Sequence, residues 1–288
     1  MRPERDLMPY APGRLAGSPM LVLAPHPDDE LFGCGGVLVQ AAQAGASVHV
    51  VIVTDGQAQG DPAVRRVESE EAAIRLGIPK PEAWGFEDRS LDPSDRRFLA
   101  SLRRTIIDMT PELVLVPSPA EIHPDHRALA IAVYHVLEEI GRSGMGTEAW
   151  NGLRLAAYEV SAVLRPNLLV DVTGEWDRLL EAGRAFRSQL DAAPYLEVFE
   201  AIRTIRRLTL PAHVLKAEAY HVVGMPFIRE HSLFEWAGLQ GPVAGLVGES
   251  GELTALRAEI GRLQTLLDEI RGSKTWKLHQ VLERIRGR

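Results

Sequence analysis

Two short segments hold an unusual density of metal-binding and proton-transferring side chains: Pro25-His26-Pro27-Asp28-Asp29-Glu30 and His123-Pro124-Asp125-His126. An imidazole followed by adjacent carboxylates in one tight turn is costly to assemble unless a cation offsets the negative charge. Catalytic zinc takes imidazole nitrogen and carboxylate oxygen from three protein side chains and keeps a position for water. His26 and Asp29 are three apart, so both can turn towards one point, and the second segment can add another imidazole. Two histidines with one carboxylate form a known zinc-hydrolase ligand set. Asp28 is then left beside the metal as a candidate general base. One histidine of the 123/126 pair is also left over, to stabilise an oxyanion or protonate a leaving amine. Spacing does not choose between these two histidines.

Blander readings compete. A His-Pro-Asp sequence is often a surface turn, and Asp125 could cap a helix. Finding both segments, each between a strand and a helix, weighs towards chemistry. His49, His135, His213, His221, His231 and His279 lack such company and are expected to be structural or at the surface. A dinucleotide reading of Gly33-Cys34-Gly35-Gly36 fails, because G-x-G-x-x-G needs glycine where Leu38 stands. The carboxylates of that turn would also repel a pyrophosphate. The glycines are better suited to close packing beneath the site.

The elements that must position these residues can be read from periodicity. Met20–Ala24, Val48–Val53 and Leu113–Val116 are apolar, partly β-branched runs that predict buried strands. Leu155–Val160 and Leu168–Val172 are further strand candidates. Helices are predicted over 37–43, 65–76, 98–109, 127–140, 176–190 and 195–206. Strands alternating with helices argue for a Rossmann-like, doubly wound α/β fold, with a mostly parallel sheet and helices on both faces. In such sheets ligands bind outside the carboxyl ends of the strands, where both motif segments fall.

The chain has 288 residues, is 45% hydrophobic and carries a net charge of -7. That supports a sizeable core and argues against a general nucleic-acid binder. The single cysteine, Cys34, excludes an internal disulfide framework and a multi-cysteine zinc site. No apolar run reaches the roughly 18–20 residues of a membrane span, and the first residues lack an apolar signal core. The expectation is a cytoplasmic, thiol-reduced enzyme. Five regions are expected: an irregular arm (1–19), a catalytic domain (20–235), a Gly-rich linker (236–251), a short heptad helix (252–271) and a basic tail (272–288). Leu253, Leu256, Ile260, Leu263, Leu267 and Ile270 form the heptad seam, which predicts either packing back on the domain or a homodimer. The tail has five Lys/Arg against one Glu, a composition suited to peripheral contact with an anionic membrane.

PHPDDE with its small-residue run, and HPDH, resemble the two signatures of the LmbE-like (PIG-L) de-N-acetylase family. Thr54-Asp55-Gly56, Arg65-Arg66-Val67-Glu68, Leu76-Gly77, Gly85-Phe86-Glu87-Asp88, Asp171-Val172-Thr173 and Ser188-Gln189 are similar to further stretches of it, and the resemblance spans residues 20–235. The tail sequence GSKTWKL…LERI resembles tails attached to bacterial surface-polysaccharide enzymes. The family resemblance implies a zinc-dependent hydrolase, with one Zn2+ per chain, that cleaves the linear amide of an N-acetylated amino sugar to acetate and a free amine. It implies His26, Asp29 and His126 as zinc ligands, Asp28 as base and His123 as the histidine that holds the oxyanion or acts as acid. Arg65, Arg66 and Asp88 are candidates for binding sugar hydroxyls. Two departures stand out: Pro25 where the family has alanine, and Glu121 where it often has aspartate or tyrosine. The alternatives are a non-sugar amide or thiol conjugate as substrate, or a glycan-binding scaffold without turnover. Specificity is expected in the segments 57–64, 88–95 and 141–152.

Overall fold

The computed structural model of the chain describes residues 11–143 and 150–240. Its elements run β1 (Met20–Ala24), α1 (Asp29–Gln43), β2 (Val48–Thr54), α2 (Pro62–Leu76), β3 (Glu82–Phe86), α3 (Arg96–Met109), β4 (Leu113–Pro117), α4 (Pro124–Arg142), β5 (Arg154–Tyr158) and β6 (Leu168–Asp171). Then come α5 (Trp176–Gly183), α6 (Arg187–Leu190), α7 (Tyr195–Ile205), β7 (Ala217–Gly224), α8 (Met225–Glu230) and α9 (Leu233–Gln240). A seven-stranded sheet orders them β3-β2-β1-β4-β5-β7-β6. The first five strands are parallel, and β7 runs antiparallel to both β5 and β6. The sheet is therefore the expected mixed but mostly parallel one.

Both faces of the sheet are buried, which is why the central strands read as unbroken apolar runs. Side chains alternate across each strand. Leu21 and Leu23 of β1 join Val51, Val53, Val114 and Val116 in a core with α3 and α4. Met20, Val22 and Ala24 join Val50, Ile52, Leu113 and Leu115 in a second core with α1, α2 and α5.

The chain order reverses between β1 and β4, which lie side by side. Strands after β1 are laid down on one side and those after β4 on the other. The loops leaving these two neighbours therefore open a crevice at their carboxyl ends, the usual ligand position in such sheets. Those loops are the two motif segments.

Several elements differ from the sequence reading. β3 has exposed and half-buried residues and sits at an edge, so it lacks the apolar run that marks a buried strand. β7 carries the buried polar pair Glu218 and His221 and was likewise invisible as a strand. α1 starts at Asp29 rather than Val37, with Asp29 and Glu30 in its first turn, where the helix dipole favours negative charge. It is broken at Cys34 (φ −145°, ψ 23°). The break is capped from both sides. The Gly36 and Val37 amides donate to Glu218 at 2.7 and 3.0 Å, and the Arg203 guanidinium donates to the Phe32 and Gly33 carbonyls. Segment 176–190 is two helices, α5 and α6, not one.

The domain also runs beyond residue 235. Trp236, expected at the start of the linker, is fully buried in α9 and stacks on Tyr134 with ring centroids 5.2 Å apart. In the arm, the Gly13 amide donates to Leu169 of β6 at 2.8 Å and Leu15 is buried. The chain divides after Gly241 into two units, and the described residues belong to the first. The expected heptad helix and basic tail lie outside the described residues, as do residues 1–10 and 144–149. No described helix is long and apolar enough to cross a membrane.

Candidate metal and catalytic centre

His26 follows β1, and Asp28 and Asp29 sit at the start of α1. His123 is the N-cap of α4 and His126 lies in its first turn. The helix cap is thus His123, whose Nδ1 accepts the Asp125 amide at 3.2 Å, and not Asp125. The three imidazoles meet: ring centroids of His26 and His123 are 4.6 Å apart, His123 and His126 5.2 Å, His26 and His126 5.4 Å. One nitrogen from each of the three lies within 4.8 Å of the others.

Asp29 lies at the centre of this group. Its Oδ2 is 3.1 Å from His26 Nδ1 and 3.1 Å from His126 Nε2, and it also accepts the His26 amide at 3.0 Å. The two histidines hold the Asp29 carboxyl far below the usual carboxylate range, against the effect of burial. One ionised oxygen facing two buried imidazole nitrogens is satisfied by N–H donors from the rings or by a cation shared among the three groups. Two imidazoles and a carboxylate are a donor set that a divalent cation takes, so the residues present fit a metal.

The outward nitrogens of both histidines face further carboxylates. His26 Nε2 is 3.0 Å from Asp88 Oδ1 and 3.3 Å from Asp125 Oδ2. Burial opposes protonation of His26, but Asp125, Asp29 and Asp88 together raise its pKa well above the ordinary imidazole value. His126 Nδ1 is buried with no hydrogen-bond partner among the described residues and faces Glu121 Oε2 at 3.9 Å. Carboxylates behind metal-binding imidazoles fix ring orientation and tautomer.

Asp28 is held in a conformation that L-residues rarely adopt, with φ 131°. Its amide donates to Glu30 Oε2 at 2.9 Å, and Glu30 Oε1 accepts the Ser69 hydroxyl at 2.8 Å. Burial pushes the Glu30 carboxyl up to about 7. Burial and the Asp29 charge raise the Asp28 carboxyl, and Arg65 pulls it back. Such strain persists only where the surroundings over-determine it, and it clusters at functional sites.

The three candidate sugar-binding residues are placed differently. Asp88 lines the cleft and accepts the Ala58 amide at 3.1 Å. Arg65 is buried and committed to the protein: Nη2 donates to Pro27 O at 2.9 Å and Asp28 Oδ2 at 3.2 Å, and Nη1 to Gly56 O at 3.0 Å. Arg66 is not brought to the centre. It pairs with Glu70 at 3.8 Å and lines a separate cavity of about 460 Å³ that includes Trp84 and Pro62. That cavity is larger than the cleft at the imidazoles, about 120 Å³, and shares with the 25–30 turn only Pro27.

The cleft is completed by residues the sequence did not single out: Gln59, Arg89, Val160, Ser161 and Tyr195. Gln59 and Arg89 lie in segments expected to set specificity, which was their only signal. Tyr195 donates to Gln59 Oε1 at 3.2 Å. Glu121, noted only as a departure, is a buried clamp. It accepts the Val160 amide at 2.6 Å and the Ser161 hydroxyl at 2.6 Å, tying the loop after β5 to the His123 loop. His221 stays away from the cleft, its Nδ1 on Arg165 O at 3.1 Å.

The chain is similar to known deacetylases. Residues 21–137 match the family described as PIG-L, GlcNAc-PI de-N-acetylase. The chain is 26% identical to a probable N-acetyl-alpha-D-glucosaminyl L-malate deacetylase 2 of Bacillus cereus, over 60% of this chain and 84% of that protein. It is 30% identical to the diacetylchitobiose deacetylase of Thermococcus kodakarensis, over 59% of this chain and 69% of that protein. The solved N,N'-diacetylchitobiose deacetylase from Pyrococcus horikoshii shares the fold, with a TM-score of 0.64 at 24% identity, covering 76% of this chain and 88% of that one.

Proposed function

The chain belongs to the PIG-L family of GlcNAc-PI de-N-acetylases, and from that premise we propose that it hydrolyses the acetamide of an N-acetylated amino sugar, releasing acetate and a free amine. The observation that carries this reading is the convergence of His26, Asp29 and His126 on one point, with Asp28 and His123 beside them.

In this reading His26, Asp29 and His126 hold one Zn2+. When bound, zinc polarises a carbonyl and acidifies water. The chain's own residues do the rest. Asp28 takes a proton from the attacking water, and its raised affinity for protons suits that task at neutral pH. Arg65 opposes that rise and fixes the direction of the carboxylate. His123 is held below the ordinary imidazole pKa by burial and by its two histidine neighbours, so it is neutral near pH 7. Its Nδ1 accepts a backbone amide, which puts the proton on Nε2. That N–H can donate to the oxyanion as the carbonyl is attacked. Asp88, Gln59, Ser161 and Tyr195 offer the hydroxyl-binding groups that a sugar requires.

The test is release of acetate and amine from a panel of N-acetylated sugars, free, lipid-linked and nucleotide-linked, by zinc-loaded protein. Amine release from at least one, abolished in Asp28→Asn, is expected. Release from none of them removes the reading.

A further inference from the structure

Arg89 stands on the rim of the cleft with nothing in the protein to hold its charge. Its side chain is exposed and, among the described residues, makes no hydrogen bond or ion pair. This contrasts with Arg65 in the same cleft, whose guanidinium is consumed by Asp28 and two carbonyls.

The backbone beneath Arg89 is fixed with care. Arg89 adopts φ 63°, in the left-handed region that a residue with a side chain enters at a cost. Its amide donates to Asp125 Oδ2 at 2.6 Å and the Leu91 amide to Asp125 Oδ1 at 3.3 Å. The same Asp125 Oδ2 faces His26 Nε2 at 3.3 Å. On the other side, Asp88 is pinned by His26 at 3.0 Å and by the Ala58 amide. Two buried carboxylates thus lock residues 88–91 to the metal-binding histidine. A strained backbone held so firmly is a functional feature. What this fixed backbone presents is an unpaired guanidinium, the side chain best matched to the two oxygens of a carboxylate or a phosphate.

We propose that Arg89 is a specificity residue that binds an anionic group, a carboxylate or a phosphodiester, carried by the substrate next to its N-acetylated sugar. The inference rests on the deacetylase reading for the identity of the sugar, and on the geometry of residues 88–91 for the anion. Tyr195, Gln59 and Ser161, which line the same cleft, carry neutral polar groups suited to sugar hydroxyls. Arg89 is thus the exposed cation of a cleft otherwise lined by neutral polar groups, histidines, carboxylates and the paired Arg65, and a substrate is oriented by where its negative charge lies.

The experiment is equilibrium binding to the zinc-loaded full chain of three glycosides of N-acetylglucosamine. They are the methyl glycoside, the carboxymethyl glycoside and the 1-(methyl phosphate) diester. Wild type is expected to bind one or both anionic compounds about tenfold more tightly than the neutral one, the effect of one hydrogen bond to a charged group. Which of the two shows the gain identifies the carboxylate or the phosphodiester as the source of charge. The gap should close in Arg89→Gln and narrow in wild type as salt is raised. Equal affinities in wild type, no binding of either anionic glycoside, or a preference that survives in Arg89→Gln would overturn the proposal. Acetate release from the same compounds reads the deacetylase assignment separately. A charge preference without acetate leaves Arg89 standing and removes that assignment; acetate without a charge preference does the reverse.

Discussion

Arg65 reaches Asp28 from α2, one nitrogen lying 3.2 Å from the carboxylate and 2.9 Å from the carbonyl of the preceding proline. An arginine that was one candidate for binding sugar hydroxyls instead holds Asp28, the carboxylate proposed as base. Burial and the neighbouring Asp29 raise the Asp28 carboxyl, and the Arg65 charge acts against that rise. Asp28 must be ionised to act as base, so activity falls as pH drops through its pKa. Removing Arg65 raises that pKa further. In Arg65→Met the acid limb of the kcat/KM profile should move to higher pH, with kcat at neutral pH reduced. An unmoved acid limb in that variant contradicts the role given to Arg65.

The ligand and catalytic sets separate by metal content. His26→Ala, Asp29→Ala and His126→Ala should each lose zinc on dialysis, because each removes one of three donors. Asp28→Asn and His123→Ala should keep it. His123→Ala should lower kcat by about 10²-fold, the usual loss for one oxyanion donor. Elemental analysis beside steady-state rates checks both. A full equivalent of zinc in all three ligand variants would sink the assignment.

Metal uptake should release protons. In the metal-free protein His26 is raised well above the ordinary imidazole pKa by its three carboxylate partners. It therefore holds a proton more tightly than a free imidazole and must give up that proton to bind a cation. Zinc affinity should weaken as pH falls, and calorimetry in buffers of different ionisation enthalpy should show proton release at pH 7. Uptake without protons at that pH would mean that His26 is not a ligand.

The break in α1 depends on a buried ion pair. Arg203 and Glu218 approach to 3.7 Å and cap the two halves of the helix that carries Asp29. Arg203→Met leaves Glu218 buried without its counter-charge, which costs about 3–5 kcal/mol. Chemical denaturation should read that loss directly. Stability within about 0.5 kcal/mol of wild type, as for an ordinary surface substitution, would show that the pair does not hold the kink.

Two truncations locate the end of the catalytic unit. A chain ending at Gly241 keeps Trp236 on Tyr134 and should fold and retain metal. A chain ending at Glu235 loses a fully buried tryptophan, a change worth about 3–5 kcal/mol, and should melt well below it. Sedimentation of the Gly241 form against the full chain tests the dimer expected from the 253–270 spacing. The same number of copies per particle in both forms would remove that expectation.

The parts legible in the sequence were those where one physical signal dominates. β1, β2 and β4 are buried on both faces, so their residues are apolar without interruption. The motif loops could be placed because each concentrates histidine and carboxylate in one tight turn between a strand and a helix. β3 and β7 escaped because their burial is set by neighbours: β3 is an edge, and β7 buries Glu218 against amides of α1 that no local pattern foretells. Asp125 looked like a cap because its neighbours in sequence are a turn and a helix. Its true partners, the amides of residues 89 and 91 and the ring of His26, come from other loops. Glu121 was hidden in the same way by contacts to residues 160–162.

The reversal of strand order between β1 and β4 bears on how the centre comes into being during synthesis. His26 and Asp29 leave the ribosome long before His126, and the two halves of the donor set meet only when β4 has paired with β1. A nascent chain stopped before β4 carries two donors and no third. Metal capture therefore reports closure of the central strand pair. Fragments cut in the β3–α3 loop and expressed apart should each fail to hold zinc and regain it only on recombining.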